Sequence, residues 1–411
     1  MNRFSIFFFF FTIFILVNVQ AQIPGCTDPL ANNYNAAATI NDGSCTYNTA
    51  LVSPTSSTIL APGLAETSGL IFWNNSLWTH NDNSDINLYS LDTLSGTILQ
   101  NYTVTGVANI DWEEISQDDI YVYVGDFGNN ANGNRTDLKI LRMEKNSLLL
   151  NNPVVDTINF SYSNQTDFSP TGGNNTDFDC EAFVVSSDSI FLFTKQWVSN
   201  KTSIYTLPKT PGSYIANLES TCDVSGLVTG ATYLQDKRLI VLCGYSMTLQ
   251  PFLFLLYDFN ENEFFNGNKR KISLSLPFHQ VEGIATKNGL IYYCSNEYFS
   301  SFKVFTSEQK LHIVDMSTYL NYYLNDSISN IFEVNYKNNI NVFPNPARDY
   351  IIVKTENTEN EKNYFISDME GKIVLSGLLQ SDSSSINVRK LKKGTYFLKI
   401  GPDIIYKWVK E

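Results

Sequence analysis

Between residues 48 and 337 apolar and polar positions alternate over short runs bounded by Gly, Asn, Asp and Ser, with no sustained helical period. This pattern predicts strands joined by turns. A unit recurs within it. Each copy opens on a short strand, usually after a Glu, then turns into a strongly apolar second strand that ends in polar residues. Residues 66–70 lead to 77–82, 113–116 to 121–126, 181–184 to 190–195, 230–233 to 239–244, and 282–285 to 290–295. The starts are 47, 68, 49 and 52 residues apart, and an Asn-, Asp-, Gly- and Thr-rich insert at 164–179 accounts for the longest interval. Two further strand-like runs follow each pair, for example 86–91 and 97–104, or 252–257 and 271–276.

Four strands in roughly 50 residues, repeated, predict an all-β chain built as a β-propeller. Five copies are counted, and six blades would require one degenerate inner strand. The last copy has a third strand near 311–314 and no obvious fourth, so the segment 51–60 is expected to close the ring. The domain division expected is a signal peptide at 1–21, a short Cys-stapled module at 22–47, the propeller at 48–337 and a small C-terminal β-sandwich at 338–411.

The two ends differ from the middle. Asn2 and Arg3 precede the apolar run 6–17, and Val19-Gln20-Ala21 offers a small-residue cleavage site. The run is too short to span a bilayer, so it reads as a secretory signal, and no later stretch reads as a transmembrane segment of the mature chain. Export permits disulfides. Cys26 and Cys45 enclose a segment too small for a core of its own, so a staple between them is expected. Cys222 and Cys243 are close enough in sequence to form a second bridge, while Cys180 and Cys294 sit on strands of different copies. The GCTDP…NYN…DGSC spelling resembles a short Cys repeat of surface and secreted Bacteroidetes proteins. Its Asp28, Asn33, Asn35, Asn41 and Asp42 either bind calcium or cap turns.

From residue 339 the chain carries 11 basic and 9 acidic residues, against 16 and 32 in 22–338. The landmarks Pro344-Asn345-Pro346, Gly371, and Gly394 with Tyr396, set among alternating strands, resemble the type A sorting domain of the type IX secretion system. That resemblance covers roughly 73 residues. It implies the type IX machinery as a partner, passage through the outer membrane, and an extracellular or outer-membrane-surface destination.

The whole chain holds 28 basic and 41 acidic residues, a net charge of −13, which argues against a nucleic-acid binder. With 43% hydrophobic and 17% charged residues, it can bury a sizeable core.

Candidate chemistry follows from the repeat. Glu66, Glu113, Glu181 and Glu282 open four copies, so they are expected at equivalent positions around one end of a central channel. Converging carboxylates repel unless a cation or backbone donors offset them. One reading is that each caps its own blade. The other is calcium, with Asp82, Asp111, Asp126 and Asn129 as further oxygen ligands from adjoining loops. Lys195 and Arg135 are expected to pair with these acids. His80, at the end of a second strand, with Glu113 and Lys195, makes a weak set of catalytic candidates. Trp73, Trp78, Trp112 and Trp197 are expected to fill the spaces between blades. The motifs of serine hydrolases, zinc proteases and phosphate-binding loops are absent.

The stretches 77–82, 111–115, 124–130, 179–182 and 281–284 resemble extracellular bacterial propellers grouped with phytase-like esterases and SdiA-regulated proteins. The resemblance supports the fold more than a reaction. Two functions are therefore expected: a binding module for a surface, glycan or protein ligand, stabilised by calcium, or a calcium-dependent esterase, lactonase or phosphoesterase acting at the channel mouth.

Overall fold

Asn74 and Asn75 both take positive φ, 50° and 58°, and Trp73 pairs directly with Ser76. A two-residue loop with this conformation matches the right-handed twist of its strands, and Asn tolerates it. It joins Thr67–Trp73 to Ser76–Asn81, and Asn87–Leu91 and Ile98–Thr103 complete an antiparallel sheet of four. In the computed structural model, which describes residues 22–301, 305–326, 340–355, 362–368, 372–379, 383–400 and 404–411, this sheet is the first of five blades.

The second blade comprises Trp112–Gln117, Tyr121–Asp126, Lys139–Glu144 and Val155–Tyr162. The third comprises Asp179–Val185, Ser189–Lys195, Lys201–Pro208 and Gly212–Asp223. The fourth comprises Leu227–Leu234, Leu239–Tyr245, Pro251–Tyr257 and Asn268–Leu274. The fifth takes Val281–Thr286, Ile291–Asn296 and Lys310–Asp315 from late in the chain and its outer strand, Ser56–Ile59, from the start. Each inner strand packs beside the next, and Val281–Thr286 returns against Thr67–Trp73. The fold is a five-bladed β-propeller. Leu51–Val52 adds a short parallel strand to the outer edge of the fourth blade, so the segment before the ring secures two blades.

One feature of the sheets was not expected from sequence. The outer strands of the second and third blades pair in parallel, Ile158 with Gly212 through Tyr162 with Ala216, and merge the two blades into one eight-stranded sheet.

The apolar second strands are explained by burial on both faces. In the third blade Ile190 and Leu192 pack toward Tyr123, Ile140 and Ile158 of the second blade. Phe191 and Phe193 pack toward Ile240, Leu242 and Phe254 of the fourth. Successive side chains of a strand point to opposite faces, so a strand between two blades needs an unbroken apolar run. Trp78 and Trp112 lie in the cluster between the first and second blades, as expected, whereas Trp73 is only partly buried beside it.

The Cys-stapled module belongs to the same compact unit, Met1–Ile328, as the propeller. Cys26 and Cys45 are bridged. The module is fastened to the fourth blade: Asp28 Oδ2 accepts the hydroxyls of Tyr47 at 2.7 Å and Tyr257 at 2.5 Å. The Arg270 guanidinium lies over the rings of both Tyr47 and Tyr319. The side-chain oxygens of Asn33, Asn35, Asn41 and Asp42 accept main-chain N–H groups of the module itself. The second bridge that the spacing of Cys222 and Cys243 allowed is not formed. Both are free thiols, Cys222 on the outer strand of the third blade and Cys243 buried on the second strand of the fourth; Cys180 and Cys294 are also free.

The second unit, Ser329–Glu411, is a sandwich of two antiparallel sheets. Tyr350–Thr355 lies between Ile340–Phe343 and Ser383–Asn387, and the facing sheet runs Ile373–Leu379, Lys362–Ser367, Gly394–Ile400, Ile404–Lys410. Ile351, Val353, Ile366, Leu398 and Trp408 fill the space between them. Asn345 Oδ1 accepts the N–H of Val409 at 2.9 Å, and the Tyr396 ring stacks on Trp408. Pro344 and Pro346 flank that Asn345 contact; Gly371 and the signal segment 1–21 lie outside the described residues.

Candidate functional site

All five inner strands carry a register shift near their first residues. The last residues paired before the shift are Thr67, Trp112, Cys180, Val228 and Val281, and pairing resumes at Leu70, Glu114, Ala182, Gly230 and Gly283. Aligned on the shift, the strands give two equivalent layers. Ser68, Glu113, Glu181, Thr229 and Glu282 form the upper one; Gly69, Glu114, Ala182, Gly230 and Gly283 form the lower. A bulge turns a side chain out of the ladder, which is how a strand buried on both faces can still aim a carboxylate down the ring axis.

The expectation of four equivalent Glu residues is corrected by this register. Glu113, Glu181 and Glu282 are equivalent, but Ser68 holds that place in the first blade and Glu66 stands two residues earlier. Glu66 nevertheless reaches the same end of the channel. Its carboxylate, with those of Asp82 and Glu297, offers oxygens that all lie within 4.8 Å of one another.

Around this trio stand Asp111, Glu113, Asp179, Glu181 and Glu282. The cations acting on them are Lys195 and, at the Asp111 edge, Arg135. The Lys195 ammonium, 4% exposed, is 3.2 Å from Glu181 and faces the rings of Trp197 and Tyr245. One ammonium cannot offset so many acids. Burial first, then neighbouring carboxylates, pushes Glu282 and Glu297 up to about 8 and Asp82 up to about 7. Burial and Asp179 raise Asp111 to about 6. Burial likewise holds Glu113 and Asp179 well above the carboxylate range. Glu282 Oε2 is buried with no hydrogen-bond partner.

Other expected ligands are committed elsewhere. Asp126 is fully buried between Arg135 and Lys139, each at 2.9 Å. Asn129 accepts the N–H of Arg135 and donates to the Phe178 carbonyl. Both build the wall of the mouth and offer no free ligand atom to it. His80 is corrected as a catalytic candidate. It has no exposure, packs edge-on to Trp112, contacts the Asn81 carbonyl through Nδ1, and is lowered to about 4 by burial, so it is neutral and sealed from the mouth.

Three acids escaped the sequence reading as site residues. Glu297 extends past the last repeat strand just as Asp82 extends past the first, so Asn296-Glu297 echoes Asn81-Asp82. Asp179 sits one residue before its strand's first shared position; its Oδ1 accepts the Asn129 N–H and its Oδ2 the Trp197 indole N–H. Glu114 plugs the lower layer. Its carboxylate accepts the N–H of Ile115 at 3.0 Å and of Ala231 at 2.6 Å. The signal for it was present: the other four copies carry only Gly or Ala at that position, leaving space for one large side chain.

Comparison with known proteins bears on the C-terminal unit. Residues 341–410 match the model of the secretion system C-terminal sorting domain. This region is a type IX sorting domain. The sorting domain directs the chain to the cell surface or the extracellular space. Among the described residues no helix is long and apolar enough to cross a membrane. No curated protein matches the chain. Solved structures match at low identity. PorZ, a bacterial surface component of the type IX secretion system of Porphyromonas gingivalis, is 11% identical over 84% of this chain, with a TM-score of 0.30. The chain spans 45% of that protein. The RRP9 WD40 repeats are 9% identical over 64% of this chain and 98% of theirs, with a TM-score of 0.33. The propeller assignment rests on the strand order.

Proposed function

We propose that the propeller is an extracellular binding module whose channel mouth is organised by a calcium ion held between Glu66, Asp82 and Glu297. The observation that carries this is the spacing of their oxygens within 4.8 Å. Ligands of one Ca²⁺ sit at about 2.3–2.6 Å from it, so oxygens around a common ion lie no more than about 5 Å apart. The donor set is all carboxylate, which suits a hard cation. The buried, unpartnered Glu282 Oε2 beside the trio is a further acceptor in search of positive charge.

Three protein carboxylates leave several of the ion's six to eight positions unfilled. All three acids are partly exposed, so those positions face solvent and suit hydroxyl or carboxylate groups of a surface glycan or protein. The same open positions keep a calcium-dependent esterase, lactonase or phosphoesterase as the second reading. There the ion would polarise a bound ester or water. In that reading His80 and Lys195 do not serve as the base, because His80 is buried and Lys195 is paired with Glu181; the role would fall to a raised carboxyl of the mouth such as Glu282.

Thermal unfolding of the full exported chain in EDTA and in added CaCl₂ tests the proposal. A ligand that binds only the folded state raises Tm as its concentration rises. The expected result is a Ca²⁺-dependent rise that Glu297→Gln abolishes. An unchanged Tm in the wild-type chain would overturn it.

A further inference from the structure

The Glu114 plug divides the channel, and the far end opens into a second cavity. It has a volume of about 250 Å³, and all five blades line it where their inner strands end. Its walls are apolar at Ile71, Phe72 and Val185 and polar at Ser116, Thr232 and Lys287. The two ends of the channel are chemically opposite. The near mouth is crowded with carboxylates; no Asp or Glu lines the far cavity.

Lys287 is the charged group there. It is exposed, its ammonium stands 5.4 Å from the centre of the Phe72 ring, and among the described residues no carboxylate comes within ion-pair distance of it. The other polar lining residues differ in how far they are engaged. Gln117 donates to the Phe72 carbonyl and accepts from Lys145, and Thr286 donates to the Ile291 carbonyl and accepts the Gly289 N–H. The hydroxyls of Ser116 and Thr232 have no such partner among the described residues and remain available to a ligand.

We infer that this far cavity is a second binding site, for a small organic anion that places a carboxylate at Lys287 and an apolar body against Ile71, Phe72 and Val185. The apolar walls supply burial, the ammonium supplies charge recognition, and the hydroxyls of Ser116 and Thr232 fix orientation. The volume is below the roughly 300–1,000 Å³ of drug-sized sites, which limits the ligand to a small acid. The site stands apart from the calcium reading, since it shares no residue with the acidic mouth.

Isothermal titration of the full chain, with Ca²⁺ present to satisfy the mouth, tests it with three probes of one shape: benzoate, benzyl alcohol and benzylamine. Benzoate is expected to bind at least tenfold more tightly than either. Lys287→Gln, at an exposed position, should remove that advantage, and Ser116→Leu, which narrows the cavity, should abolish binding. Absence of benzoate binding, equal binding of benzylamine, a benzoate advantage that survives Lys287→Gln, or benzoate binding that survives Ser116→Leu would overturn the inference. Repeating the benzoate titration in EDTA separates the two sites, because loss of the calcium effect should leave it unchanged.

Discussion

Gly69 and Glu114 face each other across the first two blades so closely that a methyl group on Gly69 would meet both the Glu114 carboxylate and the Ile115 nitrogen. The one large side chain of the lower layer fits because its opposite positions carry none. Gly69→Ala is therefore expected to cost about 1–3 kcal/mol through overpacking. Gly63→Ala, where an added Cβ meets nothing within 4 Å, should be close to neutral. Urea denaturation of the two variants side by side checks the contrast.

Removing the plug acts in the opposite sense. Glu114→Ala leaves the buried N–H groups of Ile115 and Ala231 without an acceptor and opens a void. Each stranded donor costs about 1–3 kcal/mol, so a loss of about 3 kcal/mol or more is expected. Burial pushes the Glu114 carboxyl well above the carboxylate range, and the backbone N–H groups it accepts pull the other way. Glu114→Gln fills the same space but keeps one acceptor oxygen and sets its NH2 against the other backbone N–H, so it should cost about 1–3 kcal/mol, less than Glu114→Ala. Equal losses for the two variants in chemical denaturation would contradict the role assigned to the carboxyl.

The near mouth makes stability depend on pH. Glu282 and Glu297 are pushed up to about 8 and Asp82 up to about 7, whereas in the unfolded chain such groups ionise near 4. The folded chain thus holds protons that the unfolded chain has released. Without metal, the stability contributed by these groups is fully present below about pH 4 and is lost as pH rises through 7 to 8. Added Ca²⁺ favours the ionised acids and should flatten or reverse the fall. Melting curves between pH 5 and 8.5, in EDTA and in CaCl₂, should diverge most at the alkaline end.

The Cys26–Cys45 bridge closes a short loop, and such a cross-link is worth about 3 kcal/mol of ordering. Replacing both cysteines by Ser should expose residues 22–47 to limited proteolysis. The hydroxyls of Tyr47 and Tyr257 on Asp28 are a second fastening, so Tyr257→Phe in that background should release the module further while the ring's own unfolding changes little.

The repeat was legible in the sequence because a strand buried on both faces must be apolar throughout, as 190–193 shows. The contribution of segment 51–60 was legible because the last copy lacked a strand. The register of the mouth was not. Counting from the first Glu of each copy set Glu66 level with Glu113, but a bulge is invisible in a run of letters, and the shift through Ser68–Gly69 moves Glu66 two places out. Asp126 and Asn129 looked like ligands because their atoms are right for calcium; Arg135 and Lys139, whose claim on Asp126 depends on three-dimensional reach, had already taken it. His80 failed for a related reason: the end of a second strand is exposed at Asp82 yet sealed at His80 two residues earlier. Sequence could not show the parallel seam between the second and third blades, since neither outer strand there differs in composition from an ordinary edge.

The outer strand of the last blade comes from residues ahead of the first. A ring latched in this way has no free end from which blades could peel off in turn, and it stays unlatched until the chain is present as far as residue 315. Any emerging portion shorter than that leaves Ser56–Ile59 without its partner. For a chain sent to the cell surface or the extracellular space, closure of the ring therefore waits on residues 310–313, which Ser56–Ile59 must meet.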